Sequence, residues 1–228
     1  MSLSRFLIAL IGAATCACAP VHMAVPPDLA AGSHVYEVQN RSSWKGALVD
    51  ESFNFGPYRV TKIDRDWTSS SGWGVGAYST SAVKTGYAFV LVTPAGELAG
   101  RCGVEAEKKD LEVLGGHIWK QRTSLACACG ANTNGTRFVI SSENGRPMGG
   151  AAVIGENNLA VNPIDRAENG AQFQEGLGWE LRGVGPIGAV EAQHPGRFWL
   201  EKGLAPTTAH DAACLLAGMA LYQPPEQH

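Results

Sequence analysis

The chain is short of charge. Only 17% of its 228 residues are Asp, Glu, Lys or Arg, the formal net charge is −3, and the basic residues are interleaved with acids, as in "KIDRD". That balance leaves no nucleic-acid footprint, so no nucleic-acid partner is expected. Long apolar runs are missing too: Phe6 to Ala14 and Ala212 to Tyr222 both fall well short of the ~20 residues a spanning helix needs. A serine elbow of the GxSxG type and a zincin motif are absent. Gly72, Gly74 and Gly76 imitate part of a dinucleotide fingerprint, but no βαβ unit surrounds them and a mobile loop is the better reading. No cofactor is expected. What the chain has instead is 28 Gly and 12 Pro beside 45% hydrophobic residues, the composition of one turn-rich β domain with a sizeable core.

Residues 1–18, "MSLSRFLIALIGAATCAC", carry one positive charge at Arg5, then an apolar stretch, then small residues and cysteine. This is the layout of an export signal. It resembles a bacterial lipoprotein signal, in which a cysteine behind a small residue is lipidated and becomes the new N-terminus. Ala17–Cys18 fits that rule, although Thr15 stands where a leucine is usual and Cys16 is a competing position. The resemblance implies a lipid anchor at Cys18 in a bacterial cell envelope. Ala19 is not the aspartate that commonly retains such proteins at the inner membrane, which directs the expectation to the outer one. The alternative is a secreted or periplasmic protein. The Ala- and Pro-rich segment 19–35 has no sustained period and reads as a tether.

From Tyr36 onward, short alternating runs separated by turn signals predict successive antiparallel strands. "TPAG" places Pro94 and Gly96 to join 87–93 and 97–105 as a hairpin. Asn144–Gly145 tolerates positive φ at both positions, the type I′ preference. "GVGP" and "HPGR" divide a three-stranded meander. About twelve strands are expected over 36–201, too many for an open sheet with exposed edges, so a closed barrel is favoured and a sandwich is the alternative.

One helix is expected, about 208–222. Thr208 and Asp211 have capping-box spacing, Pro224 and Pro225 stop it, and apolar residues cover every side of it. A rod greasy all round and too short for lipid must be buried, and the inside of a closed sheet would bury it. Many short strands, then "RFWLEKG", then "HDAACLLAGMALYQ" resembles the tubby-like barrel shared by tubby, phospholipid scramblases and LURP-one proteins. That resemblance implies a twelve-stranded barrel enclosing a C-terminal helix. Their lipid functions transfer to no residue here.

Four cysteines remain beyond the signal: Cys102, Cys127, Cys129 and Cys214. Oxidised pairing suits an exported chain, with three possible connectivities. Cys127 and Cys129 share a strand face. The preferred bridge joins Cys102 to one of them. Cys214 reads as a free buried thiol, or as a lock between helix and barrel. Thiolates of Cys102, Cys127 and Cys129, with His117, define an alternative metal carrier. Asp64 and Asp66, in the expected loop 64–76, define an alternative lipid-handling or hydrolytic enzyme. Trp67, Trp73, Trp179 and Trp199 offer a stacking platform or plain core packing. The favoured function is a non-catalytic binding or envelope-structural module: signal 1–18, tether 19–35, one domain 36–228, with the membrane and a lipid or protein as partners.

Overall fold

The computed structural model describes residues 20–41, 51–75, 78–113, 116–130 and 135–224. These contain a short helix α1 (Pro27–Gly32), twelve strands and a long helix α2 (Pro206–Ala220). The strands are β1 (Ser33–Gln39), β2 (Phe53–Phe55), β3 (Tyr58–Val75), β4 (Tyr78–Thr93), β5 (Gly96–Val113), β6 (Gly116–Cys129), β7 (Thr136–Glu143), β8 (Gly149–Ile154), β9 (Asn157–Ile164), β10 (Gly178–Arg182), β11 (Pro186–Glu191) and β12 (Arg197–Glu201). Each pairs antiparallel with the next, and β1 closes the ring on β12 with Val35 opposite Trp199. The architecture is therefore a closed barrel, not a sandwich.

Turn chemistry sets the joints. Thr93 Oγ1 donates to the Gly96 carbonyl at 2.9 Å and ties the β4–β5 turn. Asn144 and Gly145 both hold positive φ, 54° and 73°, as a type I′ turn demands. Here the ladder does not resume at once: Ser141 pairs with Gly149, and the intervening Met148 is buried with its carbonyl accepting from Trp179 Nε1 at 2.9 Å. Along β7, Thr136, Phe138 and Ile140 are buried while Arg137 and Val139 face out, the period-2 alternation of a wall with one wet face.

α2 occupies the lumen. Every residue from Ala212 to Leu221 is buried, against strands from β4 round to β12. Each of Leu215, Leu216, Met219 and Leu221, all fully enclosed, contributes on the order of 1.5–3 kcal/mol by leaving water. Small residues let the wall come close: a Cβ on Gly218 would stand 3.1 Å from Cys127 Sγ and 3.2 Å from Cys102 Sγ. The start of the helix differs from expectation. Pro206 enters the first turn, the N-cap is Ala205, and no side chain caps it, so Thr208 lies inside the helix rather than at its cap. The fixed φ of proline already suits that first position.

Two expected boundaries are corrected. Residues 20–35 of the expected tether belong to the domain: Met23 and Leu29 are fully buried, Met23 bridges Ala167, and α1 leads straight into β1. Their apolar side chains complete a second core outside the barrel wall with Ile164, Ala167, Leu177, Ala189 and Trp199. The expected loop 64–76 is strand through Val75, paired with β4 at Asp64 and then, after a register shift, continuously from Trp67 to Val75.

That strand belongs to the main irregularity of the barrel. β3, β4, β5 and β6 have 18, 16, 18 and 14 residues, against 3 to 8 in the other strands. Burial on the lumen side of β5 and β6 stops at Ala106 and Thr123. Beyond them the four strands continue as a projecting sheet for about seven residues, roughly 24 Å.

Candidate functional site

The lumen end of α2 shows how this opening is sealed. A helix leaves its last carbonyls without partners, and here the Tyr87 hydroxyl donates to Gly218 O at 2.7 Å, Arg41 Nη2 to Ala220 O at 2.7 Å and Arg65 Nη1 to Leu221 O at 3.0 Å. Arg65 is oriented in turn by Glu51, at 3.0 and 3.3 Å. Cationic groups at a helix C-terminus also oppose its partial negative charge. The arrangement satisfies the end of the helix from the wall, with Arg41 Nη1 buried beside it and without a hydrogen-bond partner among the described residues.

Tyr87→Phe removes one of these donors and is expected to cost about 1–3 kcal/mol, read as a fall in the urea midpoint. Burial pushes the Tyr87 phenol well up and lifts Tyr222 to about 12. The unfolded phenol ionises near ~10. The stability held by a neutral, folded Tyr222 is therefore complete below pH ~10 and is lost as pH climbs through about 12. A urea midpoint that stayed flat across that alkaline window would contradict the assignment.

The cysteines form two disulfides, Cys102–Cys127 and Cys129–Cys214. The preferred pairing of Cys102 is therefore the one to Cys127. Cys214 is not a free thiol: it locks α2 to the wall. With all three proposed sulfur ligands in disulfides there is no thiolate for a soft metal. Among the described residues no group of three or more His, Cys, Asp or Glu side chains is placed to hold a metal ion. His117 lies far out on β6, opposite Glu112.

Asp64 sits exposed on β3, opposite Ala88 and between two register shifts, and Asp66 follows within the second shift. They are strand residues level with the enclosed core, below the start of the projecting sheet, and not members of a loop. A cleft of about 220 Å³ at the opposite end, by the β4–β5 turn and the start of α2, contains His210. Its ring meets Tyr58 edge-on at 5.9 Å rather than a serine or cysteine nucleophile. Trp179 and Trp199 are core residues, 5% and 3% exposed. Trp67 and Trp73 lie in β3.

Two ion clusters that the sequence reading did not single out pin the N-terminal segment to the outer wall. Glu191, 2% exposed, accepts from Met23 N at 2.7 Å and from Arg197 at 3.2 Å, with His22 Nδ1 3.3 Å away. Arg197 reaches on to Glu168 at 2.8 Å and lies over the Trp199 ring. Farther along, Arg182 bonds both Asp28, at 2.8 Å, and the buried Glu180. Its hydrogen bond holds the Asp28 carboxyl below the usual carboxylate range.

The projecting sheet has its own order. Its last rung sets Val75 opposite Tyr78, Tyr78 opposite Leu111 and Leu111 opposite Ile118. Two residues lower, Trp73, Thr80, Lys109 and Lys120 share a rung. Trp119, 49% exposed, stands beside them on β6. Apolar and aromatic residues thus collect at the far end of a sheet that is otherwise Ser, Thr and charged.

No family model, curated protein or solved structure matches the chain. The fold defines the class, a closed twelve-stranded antiparallel barrel built around its C-terminal helix.

Proposed function

We propose that the chain is an exported, lipid-anchored envelope protein that binds rather than catalyses, with the barrel as a rigid stand and the projecting β3–β6 sheet as its recognition surface. One observation carries the reading: four strands extend past the core that would justify their length, to an end rung of Val75, Tyr78, Leu111 and Ile118. Burying α2 needs only the short part of each strand. Apolar and aromatic residue types placed beyond the core, with Trp119 beside them 49% exposed, suit an interface core better than a solvated sheet end. Two oxidised cysteine pairs support an exported location, where disulfides persist. Cys18, with Cys16 as its alternative, lies outside the described residues and supplies the anchor. The tubby-like resemblance belongs to the same reading, supported by a twelve-stranded ring enclosing a C-terminal helix.

The test shortens the sheet in register. Ser70 pairs with Val83 and Ala106 with Thr123, so 71–82 and 107–122 can each give way to an Asn-Gly turn. The shortened protein is expected to keep the urea midpoint of the barrel. Envelope complexes of the intact protein, resolved by native electrophoresis after in situ cross-linking, should be lost from it. Complexes of unchanged size in the shortened protein would remove the sheet from the recognition role. Mass spectrometry of the mature N-terminus tests the anchor separately: a diacylglyceryl mass on Cys18 that is missing from Cys18→Ser.

A further inference from the structure

We infer that the outer edge of β3 in the projecting sheet, residues 68–74, pairs antiparallel with the same edge of a second copy of this chain. The inference rests on the recognition reading above and deepens it by naming the partner. A closed barrel has no edges, but four strands that outrun it have two, one along β3 and one along β6. Backbone groups alternate sides along a strand, and one rung fixes which of them point away from the sheet. The Asn144 N–H donates to Gln121 O at 2.8 Å and the Gln121 N–H to Asn144 Oδ1 at 3.1 Å, so Gln121 turns its backbone groups away from β5. Along that rung Lys108 then turns its groups to β4, Ser81 turns to β5, and Gly72 turns outward. With Gly72 go Thr68, Ser70 and Gly74, each presenting an N–H and a C=O with no strand beside them among the described residues.

The two edges are built differently. On β6 the Asn144 side chain covers Gln121, and Lys120 and Arg122 stand on either side, the usual protection against stray pairing. On β3 the stretch "TSSSGWG" holds no charge and no proline, and Thr68, Ser69, Ser70, Ser71 and Gly72 are all exposed. An edge left unguarded beside a guarded one is an edge in use. Its composition also selects the partner. Two β6 edges would bring the Lys120 and Arg122 charges of both copies into one seam, whereas two β3 edges meet with nothing to repel them. A two-fold axis at Ser71 sets Ser70 opposite Gly72 and Thr68 opposite Gly74 of the other copy, and every outward N–H and C=O of the stretch then gains a partner. Such a contact is isologous and closes at two copies. The seam ends below Trp67, where Arg65 is tied to Glu51 at 3.0 Å. The two projecting sheets become one, with the barrels at its opposite ends, and so short a seam gives weak, concentration-dependent association.

Analytical ultracentrifugation of the full chain in mild detergent reads the pairing. Ser71 is exposed and lies on the inferred axis, so Ser71→Lys sets like charges directly opposite one another and is expected to weaken self-association ~tenfold or more. Ser71→Glu should do the same on its own. Mixing the two variants should restore association close to that of the unsubstituted chain, because opposite charges then meet across the axis. Both variants are expected to keep the urea midpoint, since the Ser71 side chain is not part of the core. Variants that associate as well as the unsubstituted chain, or a mixture that stays monomeric, overturn the pairing at Ser71. An unsubstituted chain that is monomeric at every concentration overturns self-pairing alone when shortening the sheet still abolishes the envelope complexes, and both readings fall when it does not.

Discussion

Replacing Cys129 and Cys214 together by alanine is expected to lower stability by about 4–5 kcal/mol, the larger of the two disulfide losses. The bridge joins β6 to α2 across a sequence separation of 85, and the chain entropy released by opening a loop of that size is about 4.6 kcal/mol. Cys102–Cys127 closes a separation of only 25, which gives about 3.5 kcal/mol on the same account. The two also differ in what they hold. Cys102 and Cys127 face one another on neighbouring strands already paired by backbone hydrogen bonds, so their loss leaves the ladder standing. Without Cys129–Cys214 the central helix is retained by apolar contact and the seal at its C-terminus. Urea titration of the two double variants should therefore rank them in that order, and amide exchange at 212–221 should quicken more in the first. An inverted ranking would mean that the helix is held mainly by packing and that the bridge is incidental.

Leu216→Asp is the second large effect, and it bears on why the helix is inside at all. Leu216 is fully buried, and its Cδ1 comes within 3.0 Å of where a Cβ on Gly188 would stand, so the side chain lies directly against β11. A carboxylate there has no partner and would cost about 5 kcal/mol or more, comparable with the whole stability of a domain. Soluble folded protein is not expected. Leu216→Ala isolates the packing contribution: a loss of about 2–5 kcal/mol with the fold retained. Val139→Asp serves as the control, since Val139 is a barrel residue 55% exposed on the outer wall, where a change within about 0.5 kcal/mol is expected. Equal behaviour of the two aspartates in expression and thermal melts would contradict an enclosed α2.

Several elements were legible because their signal is local. The turn at Asn144–Gly145, the hairpin through Pro94 and Gly96, the closing meander and the all-round apolar helix each depend on residues next to one another in the chain. The overhang was not legible. "DWTSSSGWGV" ends β3 and "YSTS" begins β4, yet Thr68 to Gly72 are exposed one after another and leave no alternation to detect. Its glycines and serines read as loop. The capping spacing of Thr208 and Asp211 was a real local pattern, but Pro206 begins the helix earlier. Glu180 and Glu191 did leave a trace, as single acids inside the apolar runs "GWELR" and "GAVEA", and a lone charge in such a run calls for a distant partner.

The disulfide pairing shows where local reading stops. Cys102, Cys127, Cys129 and Cys214 allow three connectivities on paper. Register decides: Cys127 lies opposite Cys102, whereas Cys129 lies opposite Gly100, which has no side chain to offer, and its sulfur reaches Cys214 on the helix instead.

By itself the sequence determined that this chain would be strand-rich and that residues 212–222 had to be enclosed, because periodicity and greasiness are properties of neighbouring residues and short-range forces act on them directly. Only the tertiary structure decided which cysteines pair, that Met23 and Leu29 fasten the N-terminal segment to the wall, and that four strands outrun the barrel. Those outcomes depend on surfaces that meet after closure, such as His22 and Glu191, 169 positions apart. No window along the chain contains both partners.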